Sequence, residues 1–468
     1  MTKPRFFTVP LAAVLRGTVL SAAMLIAGLP AASPASAADK TADLGKIQHI
    51  LVIYLENHSF DNLFGKFPGA NGLANAGAAA VQVDDAGLPY KVLPPVIEVE
   101  HHRKEVDPRF PAELPNEPFP IDKYVPIDQM TGDLVHRFYD QQMQIDGGKM
   151  DKFVLYSDAK ALSLGYYDIS NTSIWKLAKD YTLADNFFHG AFGGSFLNHQ
   201  WLICECAPKF PNAPEDIRAV IGKDGKLEKN GSVTPKGYAV NTLFSVYEPH
   251  PASVNPEKLV PPQDQKTIGD QLTEKGIDWA WYSGGFDDAL AGHPDPLFQY
   301  HHQPFVYYRN FGDDNAATRA QKKAHLRDEA ALLAGVARGE LPPVAFWKPI
   351  GAENQHPGYA ELVEGDRKVA AVIDKIKASA LWKDTVIVIT YDENGGYWDH
   401  VKPPKLDAWG PGVRVPAIIV SSLAKKGYVD HTLYDTTSIL KLIHERFGLE
   451  PLGPREAQVG DLTNALEF

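Results

Sequence analysis

The feature of this chain that most constrains its fold is an apolar run that ends abruptly in polar residues. Residues 50–55 read Ile-Leu-Val-Ile-Tyr-Leu and are followed at once by Glu56 and Asn57. A run of aliphatic and β-branched residues without polar alternation predicts a strand buried on both faces, as in parallel sheets. In open α/β sheets, ligands bind at the carboxyl ends of such strands. We therefore expect a functional site where this strand ends.

The same pattern returns near the other end of the chain, where residues 385–391 precede Asp392 and Glu393. If the two strands share a sheet, their polar ends can meet. Carboxylate and amide oxygens suit hard cations, so the four side chains predict a site for a divalent metal, with Ca²⁺, Mg²⁺ or Mn²⁺ favoured. Zn²⁺ is compatible, although it prefers nitrogen and sulfur ligands. The alternative is that each acid merely caps the following turn, and two adjacent pairs weaken that interpretation. The predicted ligands are Glu56, Asn57, Asp392 and Glu393.

Strand and helix patterns alternate along the rest of the chain. Helices are predicted at 172–179, 316–335, 365–379 and 436–447, and further strands at 277–283, 344–347 and 415–421. Such alternation indicates an α/β fold with a predominantly parallel central sheet and helices on both faces.

The first 37 residues have the pattern of a secretory signal peptide. Lys3 and Arg5 precede an apolar stretch, and residues 35–37 read Ala-Ser-Ala. No later stretch is apolar enough to predict a transmembrane anchor, so we expect a periplasmic or secreted protein. Residues 38–468 are interpreted as a single domain. Proline-rich segments near 83–128 and 208–265 are predicted to be irregular insertions at the rim of the pocket.

Charge and cysteine content narrow the function further. The net charge of −12 becomes −15 when the cations of the signal segment are removed, which argues against binding to nucleic acid.

The two cysteines, Cys204 and Cys206, are separated by one residue. They are interpreted either as a strained disulfide that staples almost nothing or as two reduced side chains. No feature of the sequence sets an oligomeric state.

A glycine pair precedes a candidate nucleophile. Gly193 and Gly194 permit a tight turn, and the residues that follow suit a helix with Ser195 in its first turn. A phosphate there would meet free N–H groups and the positive end of the helix dipole. Beside a divalent cation, the serine hydroxyl would become nucleophilic. The alternative is that the serine is an ordinary N-cap residue.

Several basic side chains could meet a phosphate. A group of protonated histidines would stabilise the charge on a phosphoryl group and protonate the leaving oxygen, although each ring taken singly could also be structural. A lysine after the glycines at 147–148 is a candidate phosphate contact. These basic candidates are His136, His301, His302, His356 and Lys149.

Taken together, these segments resemble the bacterial phosphoesterase family that joins phospholipases C and secreted acid phosphatases, a branch of the alkaline-phosphatase-like superfamily. The matching segments, in family order, are residues 56–62, 147–151, 194–199, 301–302, 356–358 and 392–400. The resemblance implies an alkaline-phosphatase-like fold and a metal held by the four oxygen ligands predicted above. It also implies that Ser195 is the nucleophile and that the four histidines surround the phosphate.

The segment around the nucleophile distinguishes the branches of that family. Phospholipases C typically carry a threonine in a Gly-Pro-Thr, Pro-Asn-Arg type of segment, whereas residues 193–199 here read Gly-Gly-Ser-Phe-Leu-Asn-His. We therefore expect a secreted, metal-dependent acid phosphatase that hydrolyses phosphate monoesters through a phosphoseryl intermediate. The first alternative is a phospholipase C acting on phospholipid phosphodiesters, which would use the same nucleophile and cation. The second is a noncatalytic periplasmic phosphate-binding protein.

Overall fold

The computed structural model describes residues 43–100 and 103–468. The predicted signal segment at 1–37 lies outside the described residues. The strands, in chain order, are β1 His49–Leu55, β2 Ile97–Glu100, β3 Arg103–Val106, β4 Phe119–Pro120, β5 Gly165–Tyr166, β6 Thr182–Ala184, β7 Phe187–Phe188, β8 Val220–Ile221, β9 Leu227–Lys229, β10 Trp279–Ser283, β11 Leu326–Asp328, β12 Val344–Lys348, β13 Thr385–Tyr391, β14 Ala417–Ser421, β15 Tyr428–Asp430 and β16 Tyr434–Asp435. The α-helices are α1 Phe60–Phe64, α2 Phe138–Ile145, α3 Phe153–Tyr156, α4 Ser173–Asp180, α5 Ser195–Cys204, α6 Ile268–Glu274, α7 Phe286–Leu290, α8 Ala316–His325, α9 Glu329–Arg338, α10 Leu362–Lys377 and α11 Thr437–Phe447.

An eight-stranded sheet in the order β11-β10-β12-β1-β13-β14-β6-β15 forms the centre of the molecule. The first five of these strands are mutually parallel, whereas β14 runs antiparallel to both of its neighbours. Helix α10 contacts both α4 and α9, and helix α5 contacts both α6 and α11, which gives two groups of helices. Strand β10 contacts helices of both groups, α9 and α6, which places helices on both faces. The predicted α/β class with a mainly parallel sheet is therefore confirmed.

Strands β1 and β13 lie next to each other in the middle of this sheet. Every residue of β13 is buried, and so is all of β1 after its first residue. Ile53 pairs with Trp347 on one side and with Ile389 on the other. Full burial of one such aliphatic side chain contributes roughly 1.5–3 kcal/mol, which explains why these runs carry no polar residue. Because Leu55 pairs with Tyr391, both strands end at the same edge of the sheet.

The predicted helix at 316–335 is wrong, because the segment divides into two helices. Helix α8 ends at His325, strand β11 follows, and helix α9 begins at Glu329. Strand β11 adds to the edge of the sheet by pairing Leu326 with Trp281. Asp328 then accepts a hydrogen bond from the backbone N–H of Ala330 at 2.9 Å and caps α9. Pairing at the sheet edge and a good N-cap together outweigh the helical pattern.

The proline-rich segments contain short strands, with the hairpin β2–β3 in the first and β8–β9 in the second. None of the helices in the described part of the chain has both the length and the apolarity needed to cross a bilayer. Cys204 and Cys206 form a disulfide at the end of helix α5. The hydroxyl of Tyr308 lies 2.9 Å from the sulfur of Cys204 and donates to Oε1 of Gln200 at 2.9 Å. The disulfide thus lies at the C-terminal end of the helix that begins with Ser195.

Candidate active site

The residues that follow β1 and β13 form the centre of a buried polar cluster. Asn57 donates its backbone N–H to Oδ1 of Asp392 at 3.2 Å. Asn57 has a φ of 67°, a left-handed conformation that asparagine tolerates better than most residues. A Cβ on Gly395 would lie 2.2 Å from the carbonyl oxygen of Asn57, so only glycine fits beside this turn. The side chains brought together here, each at most 1% exposed, are Glu56, Asn57, Asp392 and Glu393.

Ser195 joins the cluster from the first position of helix α5. Its hydroxyl donates a hydrogen bond to Oδ1 of Asn57 at 3.3 Å. Gly193 has a φ of 92°, and a Cβ on Gly194 would lie 2.7 Å from the carbonyl oxygen of His136. The glycine pair therefore lets the segment that carries His136 pass close to the start of the helix. The predicted position of Ser195 in the first turn is confirmed.

The acids of this cluster present oxygens that the protein satisfies only in part. Within the described part of the chain, Oδ2 of Asp392 and Oε1 of Glu393 are buried and accept no hydrogen bond, and Oε1 of Glu56 is contacted by His302 and Lys348. Buried carboxylate oxygens are costly unless a cation balances them. Together with Oδ1 of Asn57, they form the oxygen-rich set that a hard divalent cation prefers. The residues present therefore fit the predicted metal.

The pKa values of these acids move in different directions. Burial raises the pKa of Asp392 to about 7, against the opposing charge of Lys348. Burial also raises the pKa of Glu393 well above its ordinary value. Burial would raise the pKa of Glu56 as well, but the charges of His302 and Lys348 outweigh it and hold that pKa well below the usual range. Without a further cation, the site therefore resists full ionisation of its acids.

Two of the predicted histidines, His301 and His302, lie beside Glu56. Nε2 of His302 contacts Oε1 of Glu56, and the ring of His301 lies against that of His302 with centroids 4.6 Å apart. Burial lowers the pKa of His302 to about 4, although Glu56 opposes the shift. Burial also lowers the pKa of His301 well below its ordinary value. Burial thus shifts both pKa values toward the neutral ring, against the expected group of protonated histidines.

The other two predicted histidines reach the cluster from opposite sides of Asn57. Nε2 of His356 lies 2.7 Å and Nε2 of His136 lies 3.5 Å from the side-chain nitrogen of Asn57. Burial lowers the pKa of His356, against the charge of Asp133. Burial would lower the pKa of His136 too, but Glu393 and Asp133 outweigh it and raise that pKa to about 9. Of these four histidines, His136 has the one pKa that is raised.

Three side chains that the sequence analysis missed complete the cluster. Nζ of Lys348 lies 2.6 Å from Oε1 of Glu56. Nδ1 of His199 lies 3.7 Å from Oδ2 of Asp392. The hydroxyl of Tyr359 donates to Oε2 of Glu56 at 3.2 Å.

The sequence carried a usable signal for two of these three. Lys348 is a charged residue that closes the apolar run at 344–347. His199 stands four residues after Ser195 on a helix, which places both on one face. Tyr359 lies in a loop, and nothing in its local pattern distinguishes it.

Lys149 lies outside this cluster. Its side chain is 69% exposed, and its ammonium lies 2.7 Å from Oδ2 of Asp146. Asp146 and Gly147 both have a positive φ, which ends helix α2 in a tight turn. The contacts of Lys149 therefore give no support to its predicted role as a phosphate contact.

A serine hydroxyl and clustered acids at the carboxyl edge of a mainly parallel sheet define a class of α/β protein in which catalysis and ligand binding occur at strand ends. The chain belongs to the Phosphoesterase family, whose sequence model matches residues 47–450. The non-hemolytic phospholipase C of Pseudomonas aeruginosa is 24% identical over 508 residues, covering 100% of this chain and 64% of that protein. Phospholipase C A of Mycobacterium tuberculosis is 24% identical over 466 residues, covering 91% of this chain and 78% of that protein. The chain thus spans less than two thirds of the Pseudomonas protein.

Solved structures also align with the chain. A protein of the alkaline phosphatase superfamily from Vibrio parahaemolyticus aligns with 63% of this chain and 64% of its own length, at 11% identity and a TM-score of 0.33. A phosphonate monoester hydrolase of Agrobacterium radiobacter aligns with 90% of this chain and 77% of its own length, at 11% identity and a TM-score of 0.35.

Proposed function

We propose that the protein is a phosphoric ester hydrolase with Ser195 as its nucleophile. The observation that carries this proposal is the hydrogen bond from the Ser195 hydroxyl to Asn57, formed where the ends of β1 and β13 meet. Membership of the Phosphoesterase family supports the reaction class. A noncatalytic phosphate-binding protein would need no hydroxyl at this point, so Ser195 counts against that alternative.

The metal would be held by Glu56, Asn57, Asp392 and Glu393. When bound, a divalent cation supplies the Lewis acid that lowers the pKa of the serine hydroxyl and so makes it nucleophilic. The all-oxygen ligand set favours Ca²⁺, Mg²⁺ or Mn²⁺ over softer metals.

The side chains around Ser195 can perform both halves of the reaction. The serine hydroxyl, with its pKa lowered by the cation, releases its proton to solvent before the attack. Its oxygen then attacks phosphorus, which forms a phosphoseryl bond and breaks the bond to the leaving oxygen. His136, with its raised pKa, gives a proton to that oxygen. His301 acts as an N–H donor to the phosphoryl oxygens, while His302 and His356 hold Glu56 and Asn57 in place beside them. His136 then takes a proton from water, whose oxygen attacks phosphorus and releases the serine.

The curated relatives favour the phospholipase C alternative over the acid phosphatase expectation. Both relatives reported above are named phospholipase C, at 24% identity. The acid phosphatase expectation rests on the segment 193–199 alone. We therefore propose a phosphodiester of the phospholipid type as the preferred substrate, with a phosphate monoester as the second candidate.

We further infer that the protein acts in the periplasm or outside the cell, because its first 37 residues have the pattern of a signal peptide. We also treat residues 38–468 as one domain. Strands from residue 49 to residue 430 share a single sheet, which supports this division.

Parallel assays with p-nitrophenyl phosphate and with phosphatidylcholine vesicles test the proposal. We expect turnover of at least one substrate, and a faster reaction with the lipid if the relatives are a correct guide. Ser195→Ala should lower kcat by about three orders of magnitude or more, because it removes the nucleophile. Ser422→Ala is the matched control, since Ser422 is exposed and bonds only the carbonyl oxygen of Lys383 among the hydrogen bonds of the described residues.

Two results would count against the proposal. Near-normal turnover by Ser195→Ala would remove the serine from the mechanism. Failure to hydrolyse either ester, together with tight binding of inorganic phosphate, would favour the phosphate-binding alternative.

A further inference from the structure

Lys348 places a buried positive charge inside the candidate metal site. The side chain is fully buried at the end of β12, next to β1 in the sheet. Its ammonium lies 2.6 Å from Oε1 of Glu56 and 3.7 Å from Oδ2 of Asp392. An ammonium is costly to bury unless anions compensate it, and these two acids do so. The protein therefore places an ammonium group beside two of its proposed metal ligands.

The same ammonium borders a second group of metal-type ligands. Glu56, His199 and His302 each offer a ligand atom, and these atoms lie within 4.8 Å of one another. The rings of His199 and His302 are stacked with centroids 5.2 Å apart and an angle of 5° between their planes. Oε1 of Glu56 is the atom that contacts both His302 and Lys348. An ion held by this group would lie close to the ammonium and would be repelled by it.

The charges of the site balance with a single divalent ion. Three acids, at positions 56, 392 and 393, contribute three negative charges, and Lys348 contributes one positive charge. The charge of His136 is balanced by Asp133, whose carboxylate lies 3.7 Å from its ring. One divalent cation makes the buried site neutral. A second would leave it with two uncompensated positive charges away from water, which is strongly unfavourable.

We propose that Lys348 is a positioning residue that takes the place of a second metal ion. Its ammonium holds Glu56 and prevents the group of Glu56, His199 and His302 from binding a second divalent cation. This inference rests on the proposed function, because it requires the metal that the first site would hold.

Equilibrium dialysis against Mn²⁺, followed by metal analysis of the full-length protein, tests the inference without an activity assay. The wild-type protein should bind one ion per chain. Lys348→Met should bind two, and its first ion should bind about tenfold more tightly or better, since a like charge next to the ligands is gone. Lys322→Met is the matched control. Lys322 is also buried and paired with an acid, Asp313, and this variant should bind one ion with unchanged affinity.

The outcomes separate the two proposals. No Mn²⁺ on the wild-type protein, at concentrations that saturate ordinary sites, would overturn the metal assignment and this inference with it. One ion on both the wild-type protein and Lys348→Met, with equal affinity, would overturn the inference alone. Two ions on the wild-type protein would also overturn it, and this result needs no variant to fold. Lys348→Gln replaces Lys348→Met if the latter is not recovered as folded protein.

Discussion

Glu205 ends the helix that carries Ser195, and its ionisation should destabilise the folded protein. The side chain is 9% exposed, accepts a hydrogen bond from the backbone N–H of Arg455 at 2.7 Å, and leaves Oε2 without a hydrogen bond among the described residues. Burial raises the pKa of Glu205 from its ordinary value of 4.5 to about 7, although the hydrogen bond from Arg455 opposes this. The folded state therefore prefers the protonated acid. Stability from this preference is fully present below pH 4.5 and is lost as the pH rises through about 7.

The size of this loss follows from the two pKa values. One pKa unit corresponds to about 1.4 kcal/mol, so the difference between 4.5 and about 7 sets an upper limit of about 3 kcal/mol. Glu205→Gln keeps an acceptor for the N–H of Arg455 but removes the charge. Because an amide oxygen is a weaker acceptor than a carboxylate, we expect a net gain of about 1–2 kcal/mol at pH 8.

Urea denaturation of Glu205→Gln and of the wild-type protein at pH 4.5 and pH 8 measures this effect. The variant should be more stable at pH 8 and equal to the wild-type protein at pH 4.5. Glu215→Gln is the control, since the side chain of Glu215 is 93% exposed and should contribute less than about 0.5 kcal/mol at either pH. An equal gain for Glu205→Gln at both pH values, or a loss at pH 8, would refute the reasoning.

Two further predictions concern the metal and the sheet. Removal of divalent cations by chelation should lower the midpoint of thermal unfolding, because the acids at 56, 392 and 393 then repel one another. Readdition of Mn²⁺ or Ca²⁺ should restore the midpoint. Identical midpoints before and after chelation would contradict the metal assignment. Ile53→Ala should lower the free energy of unfolding by about 2–5 kcal/mol, because the side chain is fully buried between two strands. The control Ile221→Ala, at a side chain 37% exposed, should cost less than about 1 kcal/mol in the same urea experiment, and equal losses would show that burial does not set the cost.

The central strands could be predicted closely because their pattern has a single explanation. The predicted strand at 385–391 matches β13, and the predicted strand at 50–55 differs from β1 by one residue. A strand buried on both faces needs an unbroken apolar run, which few other structures require. The edge strand β11 lacked any such pattern. Residues Leu326 to Asp328 form a strand because they pair with β10. That long-range pairing is not visible in the local sequence.

The acids of the site could be predicted because each follows a strand, whereas Lys348 depends on which strands are neighbours. Lys348 reaches Glu56 because β12 pairs with β1 in the register that joins Trp347 to Ile53. The order of strands in a sheet is set by long-range packing and is not visible in any local segment. The direction of the pKa shifts of His301 and His302 differs from the expected protonation for a related reason. Two adjacent histidines suggest positive charge, but burial is decided by the whole fold, and burial lowers the pKa of both rings. With the pKa values of both rings lowered, the positive charge next to Glu56 comes from the ammonium of Lys348, which only the order of the strands brings there.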